Sequence, residues 1–312
     1  MDYHHILIIK SDADSFERFY NGQMKQIGVD VDSFEEYMLY SRLSGKRYAS
    51  ISKFFIFFKQ LISGQWRKRY RDYSTIIVFT SVRIVPFVWL IKRKHARIIF
   101  WQWNTMPSSI GKILPILKRF SEIWTFDQGD ALKYAIFLNS QFYFKMNSEW
   151  QTDKNCKAHK TVFFVGKDKG RLDIILKLRK ELVEQNIYCD FTVLKDKETL
   201  YESNDDLLTE QMVDYDEVIR RIKGCDAILD IGKEGQKGMT ARVLEALFYE
   251  KKLITNNVAL LNENYYSENN IFILGHDNIR NLNAFMEKPF VSYPQGTIDY
   301  YSFESWLTRF NI

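Results

Sequence analysis

The stretch 226–257, DAILDIGKEGQKGMTARVLEALFYEKKLITNN, constrains the fold more than any other part of the chain. Residues 227–231 form a short apolar run, as expected of a strand buried on both faces. Gly232, Gly235 and Gly238 then break it. From Met239 the period changes. Met239, Val243, Leu244, Leu247 and Phe248 share one helical face, and Arg242, Glu245 and Tyr249 share the other. Residues 252–255 make the next strand. Strand, glycine loop, helix and strand form a βαβ unit with a parallel sheet. Open sheets of this kind bind ligands in loops at the carboxyl ends of their strands. Backbone N–H groups at the start of the helix suit a phosphate. Taken alone, the unit is ordinary, and Arg242 with Glu245 would be an exposed i, i+3 ion pair of little value.

The rest of the chain alternates in the same way. Strands are expected at 6–9, 75–80, 96–103 and 122–126, with helices at 16–27, 33–40, 113–120 and from Ala131. Ser33 reads as a cap, with Glu36 three residues on. Polar residues 145–160 interrupt the pattern and set a boundary. Strands follow at 161–165, 188–194 and 271–274, and helices at 172–183, 215–222 and 303–310. In the helix after residue 171, Leu172, Ile175, Leu178, Leu182 and Val183 point inward, and 196–209 reads as a loop. Two α/β halves, 1–150 and 151–312, with a cleft between them are the economical architecture for 312 residues.

Composition narrows the class. Hydrophobic residues make up 46%, enough for packed cores, and a net charge of +5 favours anionic partners. Cys156, Cys189 and Cys225 are scattered without C-x-x-C spacing, which argues for a reducing compartment and against a metal cluster. The first strand starts almost at once, with no secretory pattern, and no apolar run is long enough for a bilayer span. A cytoplasmic chain, or one attached to a membrane surface, is expected. Segment 46–73 sets Phe54, Phe55, Phe57, Phe58, Leu61 and Ile62 among Lys53, Lys59, Arg67, Lys68, Arg69 and Arg71. Such a segment suits an anionic membrane surface or nucleic acid, or is a core helix with a basic flank.

A second loop, VGKDKGR at 165–171, lies between strand and helix with two glycines, three cations and a helix N-terminus. A diphosphate can use all of these. It is neither a Walker loop nor a G-x-G-x-x-G fingerprint. In a doubly wound sheet it opens onto the same edge as the loop 232–240.

With these two loops the chain resembles the bacterial GT-B glycosyltransferases that build lipopolysaccharide O-antigen and capsule. VGKDKGR is similar to the family's V-G-R-x-x-x-K-G loop, whose cations hold the donor diphosphate. GQKGMTARVLEALFYEKKLIT is similar to its later glutamate motif. The resemblance implies donor-binding roles for Gly166, Lys167, Lys169, Arg171, Gly238, Met239, Thr240, Arg242 and Glu245, with Glu245 on the donor ribose. Glu234 lies too far from Glu245 for the family's E-x7-E spacing, and Gln236 stands where an aromatic is common. These departures leave the first-glutamate role and the choice between retaining and inverting mechanisms open. Small O-antigen and capsule transferases with W-x-W-N and FDxxDAxKY elements are closer still, matched by Trp101 to Asn104 and Phe126 to Tyr134.

Trp101 and Trp103 alternate along a strand and point to one face, either as core or as a sugar platform, with Asn104 reading hydroxyls. Asp127 suits the cap of the helix that follows. Asp12-Ala13-Asp14 spells D-x-D, yet it follows the first strand, where an N-cap at Asp14 is favoured over a metal site. In a GT-B fold that loop faces the cleft, so Asp12 or Asp14 is the candidate base for an acceptor hydroxyl.

The expected protein is thus an α/β enzyme of the GT-B type, with two Rossmann-like domains facing a cleft and a C-terminal helix able to return to the N-terminal domain. It would move a sugar from a nucleotide-sugar donor to a lipid-linked surface glycan, cytoplasmic and peripheral at the inner membrane. No cofactor and no metal ion are expected, because cations and a helix dipole can offset leaving-group charge. The alternative is a nucleic-acid-binding protein using segment 46–73, against which stands the lack of any RNP, helix-turn-helix or zinc pattern.

Overall fold

A computed structural model describes residues 3–33, 72–80, 82, 85–92, 94–146, 159–196, 199–201, 205–232 and 238–312. The chain divides into two compact units. Unit 1 comprises residues 1–140 together with 309–312, and unit 2 comprises 141–308. The final helix, 303–308, therefore belongs to unit 2, and only the four residues after it belong to unit 1.

In unit 1 the elements run β1 (Ile6–Lys10), α1 (Ser15–Gln26), β2 (Asp30–Ser33), β3 (Thr75–Phe79), α2 (Val85–Ile91), β4 (Arg97–Gln102), α3 (Ser108–Gly111), α4 (Leu114–Leu117), β5 (Glu122–Thr125), α5 (Gln128–Tyr134) and β6 (Phe137–Leu138). The strands form one parallel sheet in the order β2-β1-β3-β4-β5-β6. Central strands such as TIIVF are buried on every residue, as a sheet covered on both faces demands. On one face Ile9, Val78 and Phe100 pack with Val88 of α2 and Leu114 and Leu117 of α4. On the other, Trp101 meets Phe310 edge to face at 6.1 Å, and Phe310 also meets Trp124 at 4.8 Å. Arg97 adds a paired contact to Glu122 and a bond to the carbonyl of Asn311 at 3.3 Å, which fastens the chain end.

Unit 2 runs β7 (Thr161–Lys167), α6 (Leu172–Glu184), β8 (Tyr188–Leu194), β9 (Leu208–Thr209), α7 (Tyr215–Gly224), β10 (Ala227–Asp230), α8 (Ala241–Phe248), β11 (Lys252–Thr255), β12 (Ile271–Ile273), α9 (Leu282–Glu287), α10 (Gln295–Tyr300) and α11 (Phe303–Thr308). Its parallel sheet has the order β12-β11-β10-β7-β8-β9. Phe164, Ile175, Leu178, Leu229 and Ile254 lie in its core.

Both sheets start in the middle, grow to one side and then restart on the other. Their strand order reverses between β1 and β3 in unit 1, and between β7 and β10 in unit 2. Those two reversal points, at the carboxyl ends of the strands, are where an open α/β sheet leaves a crevice.

Several local expectations change. Ser33 ends β2 and does not cap a helix, and 34–40 lie outside the described residues. The helix expected over 113–120 is only the short α4, after which the N–H groups of Arg119 and Phe120 bond the carbonyls of Ile116 and Leu117 three residues back and tighten the turn. Val183 faces out, not in, at 58% exposure. Residues 208–209 add an edge strand where a loop was expected. The basic aromatic segment lies outside the described residues over 46–71, as do Gly235, Glu234 and Gln236. Among the described residues, no helix is long and apolar enough to cross a membrane.

Candidate functional site

At the reversal point of unit 2, two arginines converge on the ends of β7 and β10. Arg242, in the first turn of α8, reaches back to the Val165 carbonyl with Nη2 at 2.7 Å and Nε at 3.3 Å. Its guanidinium lies over the Phe164 ring, 4.7 Å from the centroid, and Nη1 is 3.7 Å from Asp230 Oδ1. This explains Gly166: a Cβ at that position would collide with Arg242 Nη2. Asp230 ends β10 fully buried. It accepts from Thr240 Oγ1 at 2.9 Å and from Thr255 Oγ1 at 3.0 Å, so it ties β10 to β11 and to the loop entering α8. Thr240 sits at the N-cap position of α8, but its hydroxyl goes to Asp230 and makes no cap bond to the first turn. The first turn of α8 thus has no cap bond from Thr240, and a helix N-terminus of this kind suits an anionic group.

Arg171, expected to hold a diphosphate, is occupied otherwise. It is buried at the start of α6, and its guanidinium donates to the carbonyls of Asp168 at 2.9 Å, Ile231 at 2.5 Å and Lys167. It clamps the end of β7 to the end of β10. Burial, followed by the nearby Arg242, brings its pKa down to about 10. Asp168 organises the same turn, accepting from the N–H groups of Arg171 and Leu172 and from the Tyr201 hydroxyl. Lys169 and Gly170 both adopt positive φ, at 50° and 75°, which turns the loop sharply and leaves Lys167 and Lys169 exposed at the edge. Gly238 is buried, while Met239 and Thr240 are half-buried before α8.

Glu245 is not on an exposed face. In α8 every residue from Val243 to Phe248 is buried, Glu245 included. Its Oε1 accepts from the Tyr215 hydroxyl at 3.2 Å, and that hydroxyl lies 2.8 Å from the Tyr143 hydroxyl. Burial is the largest influence on Glu245 and pushes its pKa up to about 7, with Arg242 and Tyr215 opposing. Near neutrality the group can therefore donate or accept a hydrogen bond.

In unit 1, Asp14 caps α1 through the Glu17 N–H at 2.8 Å, and Asp127 caps α5 through the Asp130 N–H at 2.9 Å. Asp12 is half-buried at the end of β1. Trp101 is fully buried against Phe310, so it is core and cannot be a sugar platform. Trp103 is half-buried among Tyr20, Phe79 and Phe16, with Asn104 exposed beside it.

The sequence reading missed Lys10. This side chain is buried at the carboxyl end of β1, paired with Glu17 and set 5.5 to 5.9 Å from the rings of Trp103, Tyr20 and Phe79. Burial lowers its pKa to about 7, against the pull of Asp14 and Asp12. Thr80, at the end of the adjacent β3, has φ of 57°, a strained conformation for a β-branched residue. A lysine closing the apolar run ILIIK was the available signal. Among the described residues, no group of three or more His, Cys, Asp or Glu side chains is placed to hold a metal ion.

The chain matches no family model and no curated protein sequence. Solved structures do resemble it. Sucrose-phosphate synthase from Thermosynechococcus elongatus aligns with a TM-score of 0.59 at 9% identity, over 98% of this chain and 97% of that one. AviGT4, a glycosyltransferase involved in avilamycin A biosynthesis, aligns at 0.57 and 9%, over 98% and 95%. WaaG, a glycosyltransferase involved in lipopolysaccharide biosynthesis, aligns at 0.52 and 10%, over 91% and 90%. Two Rossmann-like units, each built on a parallel six-stranded sheet, and these likenesses along nearly the whole chain establish the fold as GT-B.

Proposed function

We propose that the protein is a glycosyltransferase that takes a sugar from a nucleotide-sugar donor and passes it to a lipid-linked surface glycan of the O-antigen or capsule kind. The observation that carries the reading is the reversal point of unit 2. Arg242 reaches from the start of α8 to the end of β7 at Gly166, and the exposed Lys167 and Lys169 follow Gly166 in the same loop. Cations and helix N–H groups at one edge stabilise a departing nucleoside diphosphate without a metal ion. Glu245, buried nearby, takes the ribose hydroxyls.

Arg171 serves as a positioning residue, since its donors hold the two loops together. In unit 1 the loop after β1 supplies the base. Asp14 already holds the first turn of α1, which makes Asp12 the first choice for accepting the acceptor's proton. Trp103 and Asn104 are the remaining acceptor contacts. The similarity to a transferase of lipopolysaccharide biosynthesis favours a lipid-linked acceptor, and with it a peripheral place at the cytoplasmic face of the inner membrane.

The experiment is a thermal-shift screen over nucleotide sugars and their nucleoside diphosphates. One donor family should raise Tm as ligand exceeds Kd. A flat response across the whole panel would remove the donor reading.

A further inference from the structure

A face of unit 1 is left over by the donor chemistry. α2 and α4 cover the same side of the sheet, with Val88 and Leu117 in one core. Their outward sides are apolar: Leu90 is 68% exposed, Ile116 57% and Trp89 44%. Trp89 lies edge to face on Phe120, just past α4, with centroids 5.3 Å apart, so the apolar residues of both helices form one patch. Single exposed leucines are ordinary, but a cluster of large apolar side chains that includes a tryptophan marks an interaction site.

The stretch of chain that carries the patch has charge of one sign. Between Tyr73 and Ser121 the sequence holds eight Lys or Arg and no Asp or Glu. Lys94, Lys112, Lys118 and Arg119 are all exposed and flank Leu90 and Ile116 in the sequence. Lys118 also donates to the Tyr134 and Ala135 carbonyls at the end of α5, which fixes its head at this edge.

We infer that this face docks on an anionic phospholipid bilayer, with Trp89, Leu90 and Ile116 at headgroup depth and the surrounding cations on lipid phosphates. A bilayer surface uses both halves of the patch. Tryptophan and aliphatic side chains gain from the acyl boundary, and basic residues gain from the negative surface. Nucleic acid would use the cations but offers no apolar phase for Leu90 and Ile116. The surface deepens the lipid-linked acceptor reading, since it would bring unit 1 to the plane where such an acceptor lies. Its residues fall outside segment 46–73 in the sequence.

The test is co-sedimentation of the full chain with vesicles of phosphatidylcholine alone or mixed with phosphatidylglycerol. Wild type should bind only the mixed vesicles, less tightly as salt rises. A Lys94→Gln, Lys112→Gln, Arg119→Gln triple variant should bind about a hundredfold more weakly, about fivefold for each cation. A Leu90→Asn, Ile116→Asn double variant should also lose binding. All three positions of the triple and both of the double are on the surface, so melting and nucleoside diphosphate affinity should stay unchanged. The inference is overturned if wild type ignores mixed vesicles, or if both variants bind like wild type. It is also overturned if only Arg67, Lys68 and Arg69 replaced by Gln release the protein. A change of sedimented mass in the double variant would make the face a contact between copies, and would overturn it too. Nucleotide binding lost while vesicle binding persists would sink the donor reading and leave the docking surface standing.

Discussion

Glu245→Gln should make the protein more stable, and only above acidic pH. In the native state burial raises the carboxyl from an ordinary 4.5 to about 7. The native state therefore keeps its proton at pH values where the unfolded chain has lost it. The sign follows from linkage: a raised folded pKa gives stability that is complete below about 4.5 and lost as pH rises through about 7. A shift of this size corresponds to about 3 kcal/mol once both states are ionised. Glutamine has the same shape, accepts the same Tyr215 hydroxyl and never ionises. The variant should match wild type near about pH 4.5 and exceed it by roughly 2–3 kcal/mol near about pH 8, where the loss is nearly complete. Lys10 also titrates near neutrality, but it is common to both chains and cancels in the difference. Urea unfolding of both chains at a series of pH values reads this directly. A difference that does not grow with pH, or a variant less stable at the alkaline end, would refute the burial of an ionisable Glu245. Above about pH 7, where the carboxylate is ionised, the same substitution should weaken the donor, because a charge-assisted contact to a ribose is worth roughly 1.5–3 kcal/mol.

Other outcomes follow from neighbouring residues. Gly166→Ala drives a methyl group into Arg242 and should cost roughly 1–3 kcal/mol of stability, measured by denaturant midpoint, while weakening the donor. Arg171→Met removes the guanidinium bonds to the carbonyls of Lys167 and Ile231, while the Asp168 carbonyl keeps the backbone N–H of residue 171, and should lower stability by roughly 3 kcal/mol. Its loss of affinity should be the same for nucleoside and nucleoside diphosphate, because Arg171 holds the loops and not the phosphates. Sugar transfer should survive a chelator, assayed by nucleoside diphosphate release; loss in chelator with recovery in manganese would return Asp12 and Asp14 to a metal role.

Elements governed by local rules were legible in the sequence. The apolar runs that became β1, β3, β7 and β10 showed their burial by composition, and Asp14 and Asp127 showed their caps by spacing. What the sequence hid was long-range. Arg171 donates to Ile231, sixty positions away, and nothing near VGKDKGR announces that bond. A helical wheel put Glu245 on an outer face, yet α8 is short and buried on nearly every side, so periodicity had no polar face to detect. The strand expected at 6–9 stops short of Lys10, while the fold closes three aromatic rings around that side chain. Trp101 and Trp103 point the same way, but only the return of Phe310 decides that one of them is core.

In the proposed function, the reversal point of unit 2 binds a nucleoside diphosphate through Arg242. Titration calorimetry with the nucleoside diphosphate and the bare nucleoside, on wild type and Arg242→Ala, tests it most directly. Arg242→Ala should lose roughly tenfold or more in diphosphate affinity, consistent with one charge-assisted contact, and keep its nucleoside affinity. Equal affinities of wild type and variant for the diphosphate would contradict it.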